Sequence, residues 1–208
     1  MKSIRYSLHF PLLIVALLVF WLAERIHFPV WVSNFDSFQF GLMGVLHATA
    51  LVVSLRDRKA DNPFIAFCFI ALAGVWSAAT PILGLLGSIV WTPIVRAPFT
   101  ESLRPSDIGF VVIFLTGSAI GAAGYWLLVR LFWLKSLRRV DCLRTMALCV
   151  AATLLAFAAI KVLPKNVPVR VTSLILTAAW WFAFSISLYW SEMTQYPNKS
   201  AEAMANVT

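Results

Sequence analysis

The chain has 208 residues, of which 61% are apolar and only 12% charged, and it carries a formal net charge of +8. A soluble domain carries about twice that charged fraction, and no soluble fold hides so much apolar surface, so an aqueous globular domain is excluded and lipid is the expected solvent. The positive excess does not point to nucleic acid, because the basic residues fall in short clusters between apolar stretches and no soluble body is there to present them.

The expected fold is all-α, one polytopic transmembrane helix bundle of about six spans over residues 1–190, with a polar tail over 191–208. Span 1 covers residues 6–26. Lys2 and Arg5 ahead of an apolar run resemble a signal peptide, but the run ends in Ala23, Glu24 and Arg25 without a small-x-small cleavage site, so it reads as an uncleaved span. Pro11 falls in its first turns, where a missing backbone donor costs little. Span 2 covers 38–55, with Ser37 as its expected N-cap, and ends in the basic run from Arg56 to Lys59. Asn62 followed by Pro63 then reads as a cap and a first-position proline opening span 3. The apolar stretch 63–91 is longer than the ~20 residues a span needs. Thr80-Pro81 interrupts it, so a kinked helix is expected, with a helix ending near Thr80 as the alternative. Span 4 covers 108–134, capped by Ser106 or Asp107; span 5 covers 142–163; span 6 covers 169–190. The tail from Ser191 lacks apolar content and is expected to be disordered.

Orientation follows from lysine and arginine placement. One set of connections holds eleven basic residues (Lys2, Arg5, Arg56, Arg58, Lys59, Arg130, Lys135, Arg138, Arg139, Arg144, Lys199) and the other six. The richer side is expected in the cytoplasm, with both termini, and the bacterial inner membrane is the favoured location.

Charge inside a membrane is expensive and therefore usually functional. Here the carboxylates, Glu192 included, fall near span ends, where long side chains are expected to reach the interface. His47 is then the ionisable residue nearest mid-membrane. It follows Gly41 and Gly44, whose small size lets a neighbouring helix approach, so it is expected to face the bundle, most simply in one interhelical hydrogen bond. His9 is placed at the inner end of span 1 and His27 at the outer end. No pair matches in depth, so bis-histidine haem is not expected and no cofactor or metal is assigned. The chain has no Gly-x-Ser-x-Gly elbow, no His-Glu-x-x-His pair and no phosphate-binding glycine loop, so no catalytic residue is assigned. Gly117, Gly121 and Gly124 form a close-packing face on span 4. Trp180 and Trp181 sit mid-span rather than at an interface, and with Trp76 and His47 they form the candidate ligand-binding set. Cys68, Cys142 and Cys149 are expected to be helix-packing thiols.

Two functions stay open from the residues. One is a non-enzymatic protein acting through a membrane protein partner, of accessory or immunity type, or through a second copy of itself. The other is a small carrier or channel for an apolar or weakly polar solute, built on the irregular third span, His47 and the tryptophans.

Overall fold

The computed structural model describes residues 4–23, 36–55, 62–96, 105–135, 137–164, 167 and 169–195. These form α1 (Tyr6–Ala23), α2 (Asp36–Ser54), α3 (Pro63–Arg96), α4 (Pro105–Phe132), α5 (Arg139–Val162) and α6 (Val169–Gln195). Five of them are long and apolar enough to cross a membrane; α2 contributes a shorter apolar stretch, Gln39–Ser54. The chain is an all-α bundle of multi-pass membrane type.

Each helix packs on its neighbours in sequence, and α6 returns to α1, which closes a ring. Every described neighbour runs antiparallel. Ile4 bridges Leu55, so α1 begins where α2 ends. Gly41 and Gly44 of α2 lie against Ala78 and Ala73 of α3, and Gly84 of α3 lies against Ile113 and Gly117 of α4. Tyr6 of α1 meets Tyr189 of α6 with ring centroids 4.9 Å apart, and Phe10 stacks on Phe182. An even number of antiparallel helices brings the start of α1 and the end of α6 to one end of the bundle.

The outside of this ring is as apolar as its inside. Val75 is 68% exposed, Leu155 71% and Val162 86%. In water such faces would drive aggregation; in acyl chains they cost nothing. With apolar residues on every face, the helices lack the single apolar stripe of a soluble bundle. Close packing and polar contacts must therefore hold them together. Gly44 meets this need between α2 and α3: a Cβ there would strike Ser77 and sit 2.5 Å from the Ala73 carbonyl oxygen. Gly124 does the same between α4 and α3, since the Trp76 indole occupies the space a Cβ would take. Between α5 and α6 the contact is polar, with the Thr145 and Ser187 hydroxyls 2.6 Å apart.

Several element ends differ from the sequence reading. The helix α3 runs unbroken through Pro81 to Arg96, 34 residues or about 51 Å. It does not end near Thr80. Proline removes one backbone donor there, and the close seat of Gly84 on Ile113 and Gly117 holds the following turn against α4. Ser37 falls inside α2 and Ser106 and Asp107 inside α4, because α2 starts at Asp36 and α4 at Pro105, a residue suited to the first helical position. Asn62 does cap α3: its Oδ1 accepts from the backbone of Phe64 at 3.0 Å. The helix α5 starts at Arg139, three residues early. The buried Asp141 carboxylate accepts from the Arg138 backbone N–H at 2.7 Å and fixes that turn. The largest change is at the tail: α6 continues through Ser191 and Glu192 to Gln195, and both of those residues are buried. Ser191 gives its proton to the Ser187 carbonyl at 2.9 Å, and Glu192 accepts from the Ile4 backbone at 3.4 Å. Glu192 thus lies under the chain's first described residues instead of reaching outward. Residues 24–26 of span 1 and 196–208 of the tail lie outside the described residues.

Candidate functional site

The ring is filled by large side chains. Leu13, Leu51, Phe69, Tyr125, Trp133, Trp181 and Phe184 are all at most 1% exposed. Inside this apolar packing runs one polar chain that joins four helices. Tyr125 of α4 lies 2.9 Å from His47 Nδ1 on α2. His47 Nε2 lies 3.4 Å from Ser185 Oγ on α6. The same oxygen is 2.9 Å from His9 Nε2 on α1. His9 Nδ1 is 3.2 Å from Ser54 Oγ at the end of α2, and Ser54 donates to the Leu51 carbonyl at 2.7 Å.

The direction of every bond follows from that last one. A carbonyl oxygen only accepts, so the single Ser54 hydrogen goes to Leu51 and Ser54 Oγ accepts from His9 Nδ1–H. With His9 neutral, its Nε2 accepts from Ser185. Ser185 Oγ then accepts from His47 Nε2–H, and His47 Nδ1 accepts the Tyr125 proton. Each donor in the chain has one acceptor with both imidazoles uncharged. That is the arrangement a dry interior favours, because an unmatched polar group there costs roughly 1–3 kcal/mol. The 3.4 Å bond between His47 and Ser185 is the weakest link, beyond the usual N–H···O range.

The aromatic residues around it form a box. Centroids of Tyr125, Trp181, Phe184 and Trp180 lie 5.1, 5.5, 5.7 and 6.4 Å from that of His47. His47, Trp180 and Trp181 are therefore brought together. Trp76 is held elsewhere: its indole N–H donates to the Gly121 carbonyl at 3.1 Å. Its ring lines a separate apolar groove of about 230 Å³ between α3 and α4, with Leu72, Val75, Gly124 and Leu127.

The expected difference in depth does not keep His9 and His47 apart. His9 and His47 approach to 6.0 Å between ring centroids. His9 stands about one turn from the start of α1 and His47 about two turns from the end of α2. The mismatch of about 5 Å is bridged by side-chain reach and by Ser185. Sequence reasoning also passed over Ser54, Tyr125 and Ser185. A signal for the last two was present: Tyr125 is four residues after Gly121, and Ser185 four after Trp181, so each continues a face already singled out. Among the described residues no group of three or more His, Cys, Asp or Glu side chains could hold a metal ion. The three cysteines are free thiols.

The fold and this core define a class, a closed, membrane-type bundle of antiparallel helices around a histidine–hydroxyl chain. Comparison with protein-family models, with curated proteins and with solved structures finds no match to this chain.

Proposed function

We propose that this protein is a non-enzymatic, multi-pass component of a cell membrane, the bacterial inner membrane being favoured, that acts by binding another membrane protein in an accessory or immunity-type role. The observation that supports the reading is the filled ring. Its interior holds Tyr125, Trp133, Trp181 and Phe184, each at most 1% exposed, which leaves the lipid-facing helix surfaces to carry recognition. The basic end, with Arg5, Arg130, Lys135, Arg138 and Arg139, faces the cytoplasm in this reading, and both termini with it. Mild solubilisation from native membranes should bring down a stoichiometric protein partner. Recovery of the chain alone under several mild detergents would refute the proposal.

A second reading, a small carrier for an apolar or weakly polar solute, draws on the box that Trp180, Trp181 and Phe184 make around His47. A tightly held small molecule in the same purification would favour it.

A further inference from the structure

We propose that the groove between α3 and α4 holds one acyl chain of an anionic phospholipid, whose headgroup is bound by Arg130 and Lys135 at the end of α4. The groove owes its shape to small residues. Gly124 lets the Trp76 ring lie directly against α4, where its N–H is pinned to the Gly121 carbonyl at 3.1 Å, and Ala79 leaves space beside it on α3. Leu72, Val75 and Leu127 form the walls, and all three are exposed on the outside of the ring. The groove therefore opens to the membrane, and every side chain that lines it is apolar.

Size selects the occupant. Phe69 packs on Phe132 with ring centroids 5.6 Å apart, and Trp76 lies against Gly124, so the groove runs away from the end of α4 as α3 advances. From Leu72 to Ala79 it follows two turns of α3, about 10 Å. A volume of about 230 Å³ over that length gives a cross-section of about 23 Å², roughly 5 Å across. That is the width of a single file of methylene groups packed at contacts of about 4 Å. A helix of a partner protein is about 10–12 Å across and does not enter.

Charge sets the direction of that chain. Beyond the Ala79 end, residues 80–89 of α3 and 112–120 of α4 carry no charge. At the other end Arg130 follows Leu127 by one turn, with its guanidinium 5.4 Å from the centre of the Trp126 ring, and the exposed Lys135 stands just past the end of α4. The carboxylates at this end of the bundle are engaged elsewhere. Asp141 accepts from the Arg138 backbone and pairs with Arg144 at 3.9 Å, and Glu192 accepts from the Ile4 backbone. Arg130 and Lys135 thus meet no carboxylate among the described residues. A phosphodiester at their level satisfies both charges, while its chain passes Leu128 and Leu127 into the groove. This site needs no protein partner, and it stands under either reading of function.

The test is native mass spectrometry of the full-length protein in mild detergent, titrated with phosphatidylglycerol or with phosphatidylcholine of the same chains. A basic side chain at a lipid surface favours an anionic headgroup about fivefold, so one phosphatidylglycerol per chain should be retained roughly 30-fold more tightly than phosphatidylcholine. R130Q/K135Q should abolish that preference. R138Q/R139Q, which removes the same charge at the start of α5, should keep it. A79F, which puts a ring into the groove, should lose the retained lipid of either kind. If A79F does not fold, competition decides instead: glycerol phosphate, a headgroup without chains, should not displace the bound lipid from the unaltered protein. Equal retention of the two lipids, a preference lost in R138Q/R139Q and kept in R130Q/K135Q, unchanged retention in A79F, displacement by glycerol phosphate, or a lipid-free dimer would overturn the proposal.

Discussion

Replacing Gly44 by alanine should weaken the bundle, while the same change at Gly41, one turn away on the same face of α2, should not. The new methyl at position 44 would lie 2.5 Å from the Ala73 carbonyl oxygen and 2.6 Å from Ser77 Cβ. Ser77 can turn its hydroxyl, but the carbonyl belongs to the α3 backbone, so the two helices must separate by several tenths of an ångström. Overpacking of this kind costs typically about 1–3 kcal/mol. Alanine returns about 1 kcal/mol of helix propensity, so a net loss of up to about 2 kcal/mol remains. At Gly41 the nearest atoms to the new methyl are Ala78 Cβ at 3.4 Å and the Gly74 carbonyl at 3.5 Å, ordinary contact distances. There the propensity gain acts nearly alone, and G41A should be neutral or up to about 1 kcal/mol more stable. The two variants should thus differ by about 2 kcal/mol in reversible unfolding in detergent, with G44A melting several degrees below G41A. Equal stability of the two would refute the reasoning, because it would mean that α2 and α3 are not seated on Gly44.

Four further outcomes are expected. H47Q should lose less than about 1 kcal/mol, since an amide can accept from Tyr125 and donate to Ser185 and membrane hydrogen bonds average about 0.6 kcal/mol, whereas H47L should lose roughly 1–3 kcal/mol by leaving both partners buried and unmatched; denaturant titration separates the two. A double-mutant cycle on T145V and S187A should give a coupling of about 0.5–1.7 kcal/mol, and additivity would show that the 2.6 Å contact does not hold α5 to α6. D141A should cost about 1 kcal/mol through loss of the carboxylate that receives the Arg138 N–H, read as a lower melting temperature; a neutral result would assign that turn to packing alone. Topology reporters fused at Asn62, Lys135 and the C-terminus should all report cytoplasm, and an external signal from the last would overturn the orientation drawn from basic residues.

The amino-acid sequence by itself determined the solvent, the class and the order of the helices. Hydropathy acts locally: about twenty apolar residues in lipid must satisfy their own backbone, and a helix does so within one segment. Proline and asparagine at 62–63 marked the start of α3 for the same reason, as the capping contacts lie within three residues. What needed the tertiary structure was every contact between segments distant in sequence. The depth of His9 against His47 depends on the Ile4–Leu55 register of α1 on α2, which no local pattern encodes. The extension of α6 through Glu192 depends on Ile4 arriving from the far end of the chain, 188 residues away. Trp76 and Trp180 are alike in a hydropathy profile, yet one bonds Gly121 beside a groove between α3 and α4 while the other faces His47. In a bundle whose helices are apolar on every side, amphipathic pattern cannot say which face turns inward. That choice falls to close approach at a few glycines and to the pairing of buried polar groups, both properties of two segments together.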